Sequence, residues 1–470
     1  MISIENSRIV IDNYRLGECE KLESYLSVWD KVTFSYTFCA YVYDEENKKL
    51  IIPGGFNIEK IKEFFPREKI VDNTTENKYR EINFSLKYPT RNSLQNQAIN
   101  FLLKEKMKQK FLCLETGGGK TYCSIHYVFR TKKLPITFVD QESIMNQWKE
   151  RIMFFTDIKE EEIFLISGRD SIDKIMKMKK SDLKKYKWFI AIHRTMNNFY
   201  NEDPYNITKL FDKLQIGVKL YDEAHVEFKN ILYMDCFTNC ETIYITATPS
   251  RSDPSERKVY NNMFWDVPKF KGSGEKYHNV IMYTYNSEPS SSEEMSCMSK
   301  YGFDIVKWGS KYLTDDDKHY NIFLDVIKYL LEFVTKNNRH KIAILLPNLK
   351  LCEKIHKDIQ GHISDYSIGQ FHSKIKDKDE QLEKDIIITT DKSFGKAIDV
   401  KNLSIVINAV PLSSSTKVLQ MLGRLREIPG KEVFYIDLTD EGFTQQRKQA
   451  VIRKKVFKDK CKKLYNIKNK

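Results

Sequence analysis

From about Arg91 to Leu438, short apolar runs alternate with longer stretches whose apolar residues recur at amphipathic, helix-like spacing. The short runs at Phe111 to Leu114, Ile136 to Val139, Trp188 to Ile192, Val218 to Tyr221 and Thr242 to Thr246 predict one series of strands. A second series is predicted at Ile342 to Leu346, Ile386 to Thr389, Ile405 to Asn408 and Val433 to Ile436. Strands alternating with helical patterns are the signature of βαβ units on parallel sheets. Between the two series, Asn286 to Ser299 is rich in Ser, Glu and Pro and predicts a mobile linker or insertion.

Upstream the pattern changes. Val32 to Tyr43 is aromatic and β-branched, Asp44 to Lys49 is a polar turn, and Leu50 to Ile52 is apolar again before Pro53-Gly54-Gly55. This predicts a β-hairpin followed by a short helix near Ile58 to Phe65. The expected domains are therefore 1–85, a small β-rich accessory unit; 86–285, a first α/β lobe; 286–299, the linker; 300–446, a second α/β lobe; and 447–470, a basic tail. That tail carries eleven Lys and Arg against the single acid Asp459. It reads either as a solvated, frayed helix or as a nucleic-acid-binding end.

Composition narrows the class. A chain of 470 residues that is 41% hydrophobic is not generally disordered, and 77 Lys+Arg against 64 Asp+Glu leave +13. The excess favours a polyanionic partner, nucleic acid or an anionic membrane surface, although many basic proteins bind neither. No run approaches the ~20 apolar residues needed to span a bilayer; Ile342 to Leu346 is cut off by Lys341 and Pro347. The start, Met-Ile-Ser-Ile-Glu-Asn, lacks a secretory pattern, so the expected location is cytoplasmic or nuclear. Cys236 and Cys240 have no second pair at zinc-binding spacing, which predicts reduced, buried thiols.

Two constellations carry chemistry. Thr116-Gly117-Gly118-Gly119-Lys120-Thr121 follows a predicted strand and opens a helix. Glycines let backbone N–H groups turn around phosphate oxygens, Lys120 would neutralise the β- and γ-phosphates, and Thr121 would offer its hydroxyl to Mg²⁺. The strict eight-residue pattern wants Gly where Leu114 stands. Downstream, Asp222-Glu223-Ala224-His225 ends the strand Val218 to Tyr221. Ligands collect at the carboxyl ends of parallel strands, so Asp222 could hold Mg²⁺ while Glu223 polarises the attacking water.

Gly117 to Thr121 with Asp222 to His225 resembles motifs I and II of the superfamily 2 helicases and translocases. Gln95 is similar to the adenine-reading glutamine ahead of the phosphate loop, and Gln147-Trp148 to motif Ia, with Asp140-Gln141 where Pro-Thr is usual. Thr195 resembles a strand-binding threonine, and Thr246-Ala247-Thr248 resembles motif III. In the second lobe Thr389 to Asp399 looks like motif V and Gln420-Met421-Leu422-Gly423-Arg424 like motif VI. The resemblance implies two RecA-like parallel-sheet lobes using ATP and Mg²⁺. It makes Gln420 and Arg424 catalytic, Asp399 and Arg426 nucleotide contacts, and His225, Thr246 and Thr248 coupling residues. Gln141, Thr195, His372, Thr389 and Thr390 become nucleic-acid contacts. Two departures stand out: Glu427 occupies the usual place of the second motif VI arginine, with Arg426 one residue early, and Ala397 stands where Gly is common.

Judged alone, Thr246 and Thr248 could be ordinary strand-end residues, Gln95 a surface helix residue and Trp148 a core anchor. Within the superfamily the chain most resembles phage branch-migration helicases, XPB-type repair helicases and the poxviral transcript-release helicase. That implies a DNA helicase or translocase remodelling forked or branched DNA in replication, recombination or repair. RNA unwinding or transcript release is the alternative. Outside enzymes, a nucleic-acid-binding protein with an inactive ATPase core is the other. The Lys-, Asn- and Ile-rich composition suits an AT-rich genome such as a viral one, which would put the chain in host cytoplasm.

Overall fold

A computed structural model describes residues 1–470 except 31–33, 75–77, 116, 248, 250, 252, 273–275, 301, 337, 376, 396–399, 429 and 470. The chain divides into two compact units, Met1–Gly274 and Glu275–Lys470.

In the first unit, seven parallel strands follow the order Ile163–Ile166, Trp188–Ile192, Pro135–Val139, Val218–Tyr221, Glu241–Thr246, Gln109–Leu114 and Lys269–Gly272. The central strands are buried along their whole length, as expected where helices cover both faces of a parallel sheet. A second, five-stranded mixed sheet holds the hairpin Val42–Asp44 with Lys49–Pro53, then Arg8–Asp12, Ile2–Ile4 and Ile70–Asp72. The helix Ile58–Phe64 follows, started by the Asn57 side chain.

Residues 1–85 do not form a separate core. Ile2, Ile52 and Phe56 belong to the same hydrophobic cluster as Ile243 and Val267. Ser7 Oγ donates to the Asp235 carbonyl at 3.0 Å, and Gln109 Nε2 donates to the Ser7 carbonyl at 3.3 Å. The apolar face of the small sheet is closed by the α/β lobe, a long-range contact that local patterning does not reveal.

The second unit is another seven-stranded parallel sheet, ordered Ile368–Phe371, Ile386–Thr390, Lys341–Leu346, Leu403–Asn408, Val433–Asp440, His278–Tyr285 and Lys463–Lys468. Its membership corrects two expected boundaries. The strand His278–Tyr285 lies in this unit, and 286–299 is folded into it: Ser287 N donates to Asp440 Oδ1 at 3.2 Å, and Ser290 with Glu293 forms a capping box on the helix Ser291–Ser296. The basic end is not a tail either. Helix Thr444–Lys460 buries Arg453 completely against Asp437 (Nε to Oδ2, 2.8 Å), and Lys463–Lys468 pairs with His278–Tyr285. Counting lysines hid the inward positions Arg453, Phe457 and Cys461. Among the described residues, no helix is long and apolar enough to cross a membrane.

Candidate active site

The buried strand Gln109–Leu114 leads into a turn that requires glycine. Gly117 and Gly119 have φ of 86° and 88°, the left-handed region that a Cβ disfavours. Gly119 caps the helix Lys120–Thr131, whose first N–H groups lack helical partners and form a site for anions. Lys120 Nζ donates to the Leu114 carbonyl at 3.1 Å, folding the charge back over the loop. A glycine cradle closed by a lysine at a helix start fits the phosphates of ATP.

Two residues from the preceding helix, Ser93–Lys104, and its approach hold this loop. Arg91 Nη2 donates to the Gly117 carbonyl at 3.0 Å. Gln95 is buried, its Oε1 accepts the Arg91 N–H at 2.8 Å, and a Cβ on Gly119 would stand 2.2 Å from its Nε2.

Asp222 follows the strand Val218–Tyr221, one strand removed from the loop. Burial and the neighbouring Glu223 carboxylate raise its carboxyl, while the Trp148 N–H and the Lys120 charge pull it down. Trp148 Nε1 donates to Asp222 Oδ2 at 2.8 Å, and Glu223 N donates to Oδ1 at 3.1 Å. A half-buried carboxylate fixed by two donors, with a charge that is costly to keep, is suited to a divalent cation. Glu223 itself reaches solvent, with a 37% exposed side chain and backbone at φ 46°. Both acids are half-buried, Asp222 held by the Trp148 and Glu223 N–H groups and Glu223 facing His225.

His225 links this turn to the next strand. Its Nδ1 shares a 2.8 Å hydrogen bond with Thr246 Oγ1 and lies 3.4 Å from Glu223 Oε2. Burial, then Arg251 and Lys120, lower its imidazole to about 4, so the ring is neutral near pH 7. Arg251 Nη1 donates to the His225 carbonyl at 2.8 Å and pairs with Glu256, so the segment after Thr246 grips the acidic turn.

Gln141 is half-buried at the start of the helix Glu142–Phe155, and Thr195 Oγ1 accepts from Gly168 N at 3.0 Å. In the second unit, Arg424 Nη2 donates to the Gly395 carbonyl at 2.6 Å, just past the helix Ser415–Leu422 that carries Gln420. Gln420 and Arg426 are half-buried. Three of the residues expected to contact a strand are buried in the second unit. Thr389 is 0% exposed, His372 is buried with its Nε2 at 2.9 Å from Gln370 Oε1, and the Thr390 hydroxyl accepts from Ser393 N at 3.2 Å at the start of the helix Asp391–Gly395. Their side chains complete the fold there. Thr116, Thr248, Ala397 and Asp399 lie outside the described residues.

Sequence reasoning missed Arg91, Arg251 and the polar role of Trp148. Trp148 is a core anchor, 2% exposed, but its indole N–H also reaches Asp222. Its place after the strand ending at Val139, beside the acidic strand, was the available signal.

Two parallel sheets, with a glycine cradle and paired acids at the strand ends of the first, make the chain similar to the superfamily 2 helicases, an ATP-hydrolysing class. Residues 88–251 match the family described as type III restriction enzyme, res subunit. The chain is 23% identical over 409 residues, 80% of its length and 78% of the relative's, to transcript termination protein A18 of Yaba-like disease virus. It is 22% identical over 388 residues, 78% of this chain and 79% of the other, to putative helicase 161L of Invertebrate iridescent virus 6. Among solved structures, S. cerevisiae Dbp5 bound to RNA and ADP BeF3 matches with a TM-score of 0.54 at 13% identity, covering 81% of this chain and 91% of that one, a likeness of fold.

Proposed function

We propose that the chain couples ATP hydrolysis to movement along a DNA strand, displacing the strand paired with it at forks or branches during replication, recombination or repair. In this reading Gly117, Gly118, Gly119 and Lys120 hold the phosphates, and Thr121 and Asp222 hold Mg²⁺, which neutralises phosphate charge when bound. Glu223 orients the attacking water and takes its proton. Gln95 reads adenine from beside the loop it supports. Gln420 and Arg424 act in hydrolysis, and Asp399 and Arg426 are further nucleotide contacts.

The observation that carries this reading is the contact of His225 with Thr246 and of Arg251 with the His225 carbonyl. A change at Glu223 on hydrolysis is passed to the segment leaving Thr246, which is what a motor requires and a passive binder does not. A second reading, release of a transcript, is favoured by the relatives named transcript termination proteins.

ATP turnover measured side by side with single-stranded DNA, duplex, fork, four-way junction and RNA tests both, together with release of a labelled transcript from a stalled transcription complex. Strongest stimulation by fork or junction supports the first reading. Transcript release without fork preference supports the second, and no stimulation by any nucleic acid overturns both.

A further inference from the structure

Three large rings stand out to solvent on one small hairpin of the first unit. Phe34 is 76% exposed, Tyr36 52% and Trp29 45%. The strands Ser27–Asp30 and Ser35–Cys39 pair antiparallel, with Trp29 opposite Tyr36 and Val28 opposite Phe38. Val28 and Phe38 are buried, so one face of the hairpin enters the core and the other presents Trp29 and Tyr36, in edge contact at 4.9 Å. Single exposed apolar residues are ordinary; a cluster of rings on one face marks a binding surface.

Cations lie on the elements beside this hairpin. Lys60 and Lys258 lie 3.7 Å and 5.4 Å from the Tyr25 ring, and Lys60 is 6.0 Å from Trp265, itself 55% exposed. The helix Pro254–Met263, which carries exposed Arg257 and Lys258, packs against Ser27–Asp30. Of the nearby acids, Glu256 is paired with both Arg251 and Lys229. Asp253 caps the helix.

The hairpin also rests on the segments that leave the candidate active site. Phe38 meets Phe228, three residues after His225, at 5.6 Å, and Phe228 begins the helix Phe228–Cys236. The helix Pro254–Met263 is joined to the His225 carbonyl through Glu256 and Arg251.

We infer that this hairpin is a base-stacking element for single-stranded nucleic acid. Trp29, Phe34 and Tyr36 stack against bases, and Lys60, Arg257 and Lys258 meet phosphates. Ring faces accept any base and the cations accept the backbone, which is the chemistry of sequence-independent strand binding. A second copy of the chain is the poorer occupant, because it would bring the same cations against one another. The assignment rests on the proposed translocase function and gives it a strand contact mechanically tied to the acidic turn.

The chain has five tryptophans, and Trp148, Trp188 and Trp308 are buried, so in a Trp265→Phe variant Trp29 dominates the solvent-facing emission. A single-stranded oligonucleotide should quench that emission, and an abasic oligonucleotide of equal length should quench little and bind more weakly. The triple variant Trp29→Ala, Phe34→Ala, Tyr36→Ala should lose roughly 5- to 150-fold in affinity for each stack removed, and should no longer distinguish base-bearing from abasic strands. Trp29→Phe with Tyr36→Phe should retain most of the affinity. Wild-type strand affinity in the triple variant, with strand-stimulated ATPase intact, overturns the stacking assignment and leaves the function standing. A change in oligomeric state without loss of strand affinity overturns it in favour of a protein partner. Absence of strand-stimulated ATPase in the unaltered chain overturns the function itself. If the triple variant does not fold, equal quenching of Trp29 by intact and abasic strands is the overturning result.

Discussion

Replacing Trp148 by Phe removes one N–H from the candidate active site and keeps most of the ring. The indole is 2% exposed and donates to Asp222 Oδ2 at 2.8 Å. A hydrogen bond to an ionised group contributes about 1.5–3 kcal/mol, which is about 10- to 150-fold in an equilibrium constant. Asp222 is already raised by burial and by Glu223, and the indole is one of the few groups opposing that. Without it, protons compete better with Mg²⁺ for the carboxylate. The sign follows from the charge: the metal needs the deprotonated form, so the defect deepens as pH falls and shrinks as pH rises. Mg²⁺ half-saturation of ATP turnover should rise about 10-fold or more near neutral pH, and less in alkaline buffer. The lost ring atoms also cost the fold about 1–2 kcal/mol, which thermal unfolding reads separately. Equal Mg²⁺ half-saturation in variant and wild type near neutral pH would refute the argument.

Gly119→Ala should weaken ATP binding about 5- to 30-fold by calorimetry, from about 1–2 kcal/mol of left-handed strain plus the clash with Gln95 Nε2; normal binding would mean the loop is shaped differently. Arg424→Ala should lower ATP turnover more than ATP affinity, with Arg426→Ala the milder change; the reverse order in steady-state kinetics would show that the turn after Leu422 acts in another register. Arg453→Met should cost about 3–5 kcal/mol in denaturant unfolding because it leaves Asp437 buried and unpaired, whereas exposed Lys455→Met should change little; equal effects would return residues 447–470 to the status of a tail.

Much of the fold was legible because buried parallel strands are short apolar runs. Each of the nine predicted runs is a strand in the structure. One apolar run, Ile163–Ile166, also escaped notice, and several other missed strands had weaker patterns. Lys269–Gly272 and Lys463–Lys468 are sheet edges with alternating or mostly exposed residues, and Ile368–Phe371 contains Gly369 and Gln370. His278–Tyr285 hid behind its polar start, His278-Asn279. The glycine turn and the acidic turn were legible because their patterns are local: each is a few consecutive residues at a strand end. Trp148 to Asp222, Arg91 to Gly117 and Arg251 to His225 are contacts between distant segments, and no spacing in the chain records them. The same reason explains why residues 1–85 looked separable. Their hairpin is a local pattern, but the surface that closes their core lies in the later lobe.

The central claim is that Glu223 drives strand-coupled ATP hydrolysis, and one comparison tests it most directly: steady-state ATP turnover of the unaltered chain and of Glu223→Gln, each with and without single-stranded nucleic acid. The unaltered chain should hydrolyse ATP faster when the strand is present. Glu223→Gln should still bind ATP, because Gly117, Gly119 and Lys120 are untouched, while its turnover falls by about 10²- to 10⁴-fold, the usual contribution of a positioned general base. Turnover in Glu223→Gln equal to that of the unaltered chain would contradict the account.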